Sequence, residues 1–184
     1  MNQAILLSVK PEWLALILNG KKTIEIRKTT PKCELPIDVY LYCAKEKENY
    51  KWVGQKDSEG KVVGKFTLKK VEDLRKYEWA RKDDHFYGIL KGACLTEQNL
   101  QDYCPSKNGE TRPLYAWHIP DLVIFDEPKE LCDFHPYFPK LERWCHEDSD
   151  CDGCPFFISL DEQCKWLKGL TKAPQSWCYV EVEE

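Results

Sequence analysis

The sequence predicts a mainly β fold with a few short helices, of the α+β class, closed as a small β-barrel and carrying a zinc-stapled insert. Three observations predict it. About six short runs rich in Val, Ile, Leu and aromatic residues alternate with turn-forming stretches, a pattern of barrels and sandwiches rather than parallel α/β sheets. Only two or three segments carry helical periodicity, and no internal repeat occurs at fixed spacing. Four cysteines crowd between Cys145 and Cys164, in a stretch otherwise poor in core residues.

The 184 residues fit one domain, 1–184, with residues 140–168 as an insert within it. The net charge of −4 argues against a wholly basic nucleic-acid binder. The charge is uneven, however. Residues 1–100 hold 19 Lys and Arg against 14 Asp and Glu, whereas residues 101–184 hold 8 against 17. A phosphate-facing surface therefore belongs to the N-terminal half. No apolar run approaches the roughly 20 residues needed to cross a bilayer. The start, Met1-Asn2-Gln3-Ala4, lacks the features of a signal peptide. These features predict a soluble, cytoplasmic protein without a membrane partner. In that compartment ten cysteines are expected to be buried thiols, metal ligands or redox groups rather than disulfides.

Ala4 to Val9 is a compact apolar run that suits a buried strand. Pro11 suits the first position of a helix, where its missing N–H is not needed. Trp13, Leu14, Ile17 and Leu18 give that helix one apolar face. Asn19-Gly20 ends it, Gly20 accepting the left-handed conformation. From Lys22 to Lys28 the residues alternate. Ile24 and Ile26 enter the core, and Glu25 and Arg27 stand together on the other face of a strand.

Thr29 to Pro36 reads as a loop. Val39 to Cys43 is the next strand, with Val39, Leu41 and Cys43 inward. Lys45 to Gly60 is a long polar loop. Val62 to Leu68 is a strand whose Gly64 marks a bulge or a close backbone approach. Val71 to Tyr77 is expected to be a short helix. Residues 78–94 give no clear pattern. Thr96 caps a helix running to Tyr103, with Leu95 and Leu100 inward. Leu114 to Ile119 and Leu122 to Phe125 form one bent strand or two, parted by Pro120-Asp121. Pro128 to Phe138 is loop-like, and Trp177 to Val182 closes the chain as a strand.

The most informative stretch is Gly20-Lys21-Lys22-Thr23-Ile24-Glu25-Ile26-Arg27. With Ser8-Val9-Lys10-Pro11 before it, it resembles the start of an ASCH domain, a relative of the PUA RNA-binding fold. Val39 to Cys43, Gly60 to Leu68, Tyr115-Ala116-Trp117-His118 and Pro174 to Glu181 also look like bacterial and phage members. The resemblance covers about residues 4–132 and 172–182. It implies a barrel with a cleft lined by the motif, and a role in binding RNA, a nucleotide or a modified base. The residues themselves agree. Lys22 and Arg27 can neutralise phosphate, Arg27 as a planar fork. Glu25 can accept from a base amino group or orient Lys22. Lys10 and Lys65 add positive potential. Tyr40, Tyr115, Trp117 and Trp177 are candidates to stack a base.

A hydrolase acting on RNA or modified nucleosides is the competing class, with Lys22 and Glu25 as a proton-transferring pair. Some relatives are amidohydrolases that deacetylate acetylcytidine with a Lys, a Thr nucleophile and a Glu. Lys22 matches, but this chain has Glu25 where their motif has Thr, and Thr23 has the wrong parity. Other relatives are ribonucleases. A bare surface pair between Glu25 and Arg27 would be worth only about 0–1 kcal/mol.

Cys145-x5-Cys151-x2-Cys154-x9-Cys164 fits a structural zinc site, since zinc prefers four S or N ligands and Cys-x2-Cys is a common half-site. His146 is an alternative ligand. A disulfide pair, free thiols and an iron–sulfur cluster are the other readings of the four cysteines. The surrounding acidic residues make a third function class possible, a protein-interaction adaptor using the insert. Cys33, Cys43, Cys94, Cys104, Cys132 and Cys178 have no metal spacing and are expected to be small buried apolar residues. Of the histidines, His118 is the one placed near the cleft, although Trp117 and His118 face opposite ways.

Overall fold

A computed structural model describes residues 2–45, 58–77, 83–105, 112–137 and 169–182. Strand β1 spans Asn2–Val9 and leads through Lys10 into helix α1, Pro11–Leu18. Pro11 occupies the first turn, and Asn19 closes the helix with Gly20 at φ 69°. Strands β2 (Ile24–Arg27), β3 (Ile37–Cys43) and β4 (Val62–Leu68) follow. Val71 to Tyr77 is not the expected helix. It is a short strand β5 (Val71–Asp73) followed by one 3-10 turn, Leu74–Lys76. Asp73 accepts from the backbone N–H of Arg75, which stops the strand and starts the turn.

Helix α2 (Asp84–Ala93) lies in the stretch where the sequence showed no clear pattern. Asp83 caps it by accepting from the Phe86 N–H at 2.9 Å. Helix α3 (Glu97–Tyr103) begins at the predicted cap: Thr96 and Asn99 exchange side-chain and backbone hydrogen bonds. Strands β6 (Tyr115–His118) and β7 (Val123–Lys129) are two separate strands. The segment expected as loop after Pro128 holds a 3-10 turn, Leu131–Asp133, and a two-residue strand β8 (His135–Pro136). Strand β9 (Trp177–Val182) is the last described element.

Among the described residues the strands do not close into the expected barrel. The described strands make a six-stranded sheet in the order β7-β4-β3-β1-β9-β8 and a separate three-stranded sheet in the order β2-β6-β5. The chain passes between the two sheets four times, the last time at Pro120-Asp121. Asp121 adopts φ 48°, so the chain turns between β6, central in the small sheet, and β7, on the edge of the large one. The edges of the large sheet, β7 and β8, do not meet. Parallel pairing of β1 with β3 is made possible by the crossover through α1 and β2.

The core is layered. Ile5, Leu7, Val9, Val39, Leu41 and Cys43 face one way from the large sheet and pack with Leu14, Ile17 and Trp117. Ala4, Leu6, Tyr40 and Tyr42 face the other way and pack with Phe134 and Val180. The central strands β1 and β3 of the large sheet are therefore covered on both faces, which explains why they read as near-continuous apolar runs. Ile24 and Ile26 of β2 pack with Phe86, Ile89, Leu90 and Ala93 of α2. Gly64 meets its expectation. The β3–β4 register slips between Leu41 and Tyr42, and a Cβ at Gly64 would stand 2.5 Å from the Val123 carbonyl oxygen. No described helix is long and apolar enough to cross a membrane.

Candidate functional site

Strand β2 positions the site. Its isoleucines face α2, so by period-two alternation Glu25 and Arg27 face away from it, beside Trp117 and Tyr115 of β6. Lys22 sits just before the strand. Its backbone N–H bonds the Leu16 carbonyl at 2.9 Å, and Thr23 N–H bonds Gly92 at 2.8 Å. The helix ends of α1 and α2 thus hold the entry to β2. Lys22, Glu25 and Arg27 are all buried, with 3%, 8% and 8% of their surface exposed.

Glu25 is shared between the two cations. Its Oε2 lies 3.2 Å from Lys22 Nζ and its Oε1 lies 3.0 Å from Arg27 Nη2. Lys22 Nζ also donates to the Ala93 carbonyl at 2.7 Å. This puts an ammonium on the C-terminal end of α2, where the helix carbonyls are unsatisfied and the dipole is negative. The same Nζ stands 5.3 Å from the centre of the Trp13 ring, a cation–π distance.

Arg27 is held from several sides. Nη2 donates to the Ser8 carbonyl at 2.7 Å, and Nη1 donates to Ser176 Oγ at 3.3 Å. Ser8 in turn fixes the segment before β9: its N–H bonds Ser176 at 2.9 Å and its hydroxyl donates to the Pro174 carbonyl at 2.7 Å. The guanidinium therefore pins the ends of β1 and β9 to β2. Its Nε is buried without a partner among the described residues. An unsatisfied buried donor costs about 1–3 kcal/mol.

These side chains line a pocket of about 450 Å³, within the range of roughly 300–1,000 Å³ usual for small-molecule sites. Lys10 and Trp13 line it from the start of α1. Asn99, Asp102 and Tyr103 line it from α3, and Ser176 from the segment before β9. Lys28 lies 4.4 Å from the centre of the Tyr103 ring. Burial pushes the Tyr103 phenol above its usual range; Arg27 opposes the rise and Glu25 adds to it. Trp13 and Tyr103 give the pocket aromatic surface, and the buried ion triad gives it a polar one.

The sequence-predicted residues divide into two groups. Lys10, Lys22, Glu25 and Arg27 meet at this pocket. The other five do not line it. Tyr40 is buried on the far face of β3, edge-on to Phe134 at 5.0 Å. Lys65 lies across from it, bonded to Asp38 at 2.7 Å. Trp117 is completely buried in the core and Tyr115 packs against that core. Trp177 packs on Trp117 at 5.6 Å and donates to Thr29 Oγ1 at 2.9 Å. The rings that line the pocket are Trp13 and Tyr103. Trp13 had counted only as part of a helix's apolar face. Asn99, Asp102 and Tyr103 fall three and four residues apart on α3, one face of a helix, which is the signal that could have found them.

His118 is not in the pocket either. It pairs with Ile24 and so shares the α2 face of the small sheet. There Nε2 lies 2.6 Å from Glu72 Oε1, while His85 Nε2 lies 3.0 Å from Oε2 and Lys70 Nζ lies 2.9 Å from Oε1. Burial pushes the Glu72 carboxyl up, but hydrogen bonds from Lys70, His85 and His118 outweigh it and hold it at about 2.

The proposed zinc ligands Cys145, Cys151, Cys154 and Cys164, and His146, lie outside the described residues. Among the described residues no group of three or more His, Cys, Asp or Glu could hold a metal ion. Of the remaining cysteines only Cys43 is fully buried, and Cys132 is exposed, against the expectation that all six are core residues. Burial pushes the Cys178 thiol up to about 11.

The family model for the ASCH domain matches residues 7–121. No curated protein matches the chain. A crystal structure of ASCH from Zymomonas mobilis is similar with a TM-score of 0.48 at 24% identity, covering 70% of this chain and 73% of that one. Crystal structures of two mutants of the Zymomonas mobilis protein are similar at TM-score 0.47, with 23% and 24% identity. They cover 70% of this chain and 76% and 74% of theirs.

Proposed function

The chain belongs to the ASCH domain family, and from that premise we propose that its pocket binds a nucleotide or modified base, RNA being the source. The observation that carries this reading is the meeting of Lys22, Glu25 and Arg27 in a pocket of about 450 Å³ beside Trp13 and Tyr103. Charged groups supply directional contacts to a polar edge or phosphate, and the aromatic rings supply stacking, worth about 1–3 kcal/mol per base. Lys22 is too deeply committed to act as a loose phosphate neutraliser, since its ammonium already bonds Ala93 and Glu25. Its role in this reading is to orient Glu25 and to lend charge to the pocket.

A second reading, a hydrolase acting on RNA or a modified nucleoside, rests on the 3.2 Å contact between Lys22 and Glu25. The two readings separate in one experiment. An end-labelled RNA pool is run with the protein on a native gel and on a denaturing gel, with Glu25→Gln as control. The binding reading expects a shift with intact RNA. Fragments that disappear in Glu25→Gln would replace it with the hydrolase. Neither shift nor fragments, repeated with free modified nucleosides, would remove both and turn attention to the acidic insert as a protein-binding surface.

The proposal extends to the insert. Four thiols at Cys145, Cys151, Cys154 and Cys164 suit one structural zinc ion. Its role would be to clip together a segment that is acidic and poor in core residues.

A further inference from the structure

Resting on the reading of this pocket as a base site, we propose that helix α3 selects the base, and that the base is guanine, read by the Asp102 carboxylate and the Asn99 amide. The ion triad is occupied with its own neighbours. Both oxygens of Glu25 face cations, Lys22 bonds Ala93 and Glu25, and the Arg27 Nη groups bond Ser8, Ser176 and Glu25. These contacts hold β1, β2, the end of α2 and the segment before β9 together.

The α3 wall is committed differently. Asn99 and Asp102 stand three residues apart, on one helix face, and both line the pocket. Asn99 Oδ1 accepts from the Thr96 backbone N–H and from the Thr96 hydroxyl, each at 2.8 Å. A backbone N–H can only donate, so the atom it meets is the amide oxygen, and the two N–H groups of the amide are left over. Asn99 therefore offers donors to a ligand. Asp102 Oδ1 accepts from Gln98 Nε2 at 2.9 Å. A carboxylate has about four lone-pair sites, so Oδ2 and part of Oδ1 stay open among the described residues. Asp102 therefore offers two acceptor oxygens.

A donor beside two acceptors complements the edge of guanine, which presents O6, N1–H and the N2 amino group in a row. Its two donors lie parallel, as the two oxygens of a carboxylate require, and O6 then faces Asn99. In adenine and cytosine the amino group stands next to a ring nitrogen that only accepts, and in uracil N3–H stands between two carbonyls. Each of these sets a lone pair against the second carboxylate oxygen. Trp13 and Tyr103 supply the flat surface on which the ring stacks. Tyr103 sits on the same capped helix as the reading pair, and Leu100 anchors that helix in the core, so stacking and edge recognition are set by one element.

Calorimetry on the full-length wild-type protein tests this with two probe series. One is the nucleoside 5′-monophosphates, and the other is trinucleotides with a variable base between two uridines. The variable base is guanine, adenine, cytosine, uracil, hypoxanthine or xanthine. In at least one series the guanine member should bind more than about tenfold tighter than its adenine, cytosine and uracil counterparts. Hypoxanthine, which lacks the amino group at C2, should fall between. Asp102→Asn turns one acceptor into a donor and should exchange the preference. The guanine member weakens, and the xanthine member, which has a carbonyl at C2, binds tighter than it does to wild type. A merely structural role for Asp102 would weaken both and overturn its assignment, as would a guanine preference that persists in Asp102→Asn. Wild-type protein that binds all four bases equally, or prefers one of the other three, would overturn the inference while leaving the pocket reading intact. No binding by either series would remove the pocket reading together with the inference.

Discussion

Replacing Glu25 by Gln tests how the site is held together. The substitution keeps the shape and one acceptor oxygen but removes the only anion of the triad. Lys22 Nζ and Arg27 Nη2 stand 3.2 and 3.0 Å from the carboxylate. At an effective dielectric of about 20, each attraction amounts to about 5 kcal/mol before desolvation is counted. Most of that is offset by the cost of taking the charges out of water, and measured losses on breaking one side of a buried pair are about 3–5 kcal/mol. The amide retains a weaker hydrogen bond, so the low end, about 3 kcal/mol, is expected. For a chain of this size that is roughly 6–12 °C in Tm. Thermal melts followed by circular dichroism measure it. Adding Lys22→Met to Glu25→Gln restores the triad's original net charge, so the double variant should be less destabilised than the two single losses summed, by about 1–3 kcal/mol. A Tm loss below about 2 °C for Glu25→Gln, or simple additivity in the double variant, would refute the account of a coupled buried triad.

Four other outcomes are expected. Gly64→Ala places a Cβ 2.5 Å from the Val123 carbonyl, so urea unfolding should show a loss of about 1–3 kcal/mol. Thr96→Ala removes the capping box of α3 and should cost about 1 kcal/mol; because α3 carries Asn99, Asp102 and Tyr103, nucleotide affinity should fall with it. The Glu72 carboxyl is depressed from 4.5 to about 2, so its contribution is fully present above pH 4.5 and lost as pH falls toward 2. Melting curves across that window should show a steeper acid decline in wild type than in Glu72→Gln. Elemental analysis should find one zinc per chain, lost in Cys154→Ser and on chelation, with nucleotide binding retained.

Much of the fold was legible because its strands are buried on both faces or bounded by strong punctuation. Ala4 to Val9 and Val39 to Cys43 read as apolar runs for that reason, and Pro11, Gly20 and Thr96 mark helix ends by their own chemistry. Helix α2 was hidden because its charged start, Asp83 to His85, precedes a short apolar face. Val71–Asp73 was misread as helix because three residues carry no period; its strand state comes from pairing with Tyr115–Trp117, a contact distant in sequence. The barrel expectation failed because the chain passes between two sheets at four connections, Pro120-Asp121 among them, and no local pattern specifies which sheet a strand joins.

The site was half legible. Alternation on β2 placed Glu25 and Arg27 together, and Lys22 joined them although it precedes the strand. The aromatic candidates Tyr40, Tyr115, Trp117 and Trp177 lie away from this pocket, because residue type does not reveal which layer a ring enters. Trp117 fills the core between the sheets, whereas Trp13, on a helix's apolar face, lines the pocket. Tyr103 and Trp13 are brought to one cavity by α3 and α1, and only tertiary packing makes them neighbours of the ion triad.

The central claim, that this pocket is where a nucleotide or base binds, is tested most directly by photocrosslinking. An RNA pool carrying 4-thiouridine or 5-iodouridine is irradiated with the protein and the modified peptides are mapped. The account predicts adducts at Trp13 or Tyr103, suppressed by excess unlabelled RNA. Competable adducts confined to other surfaces, with none at either ring, would contradict it.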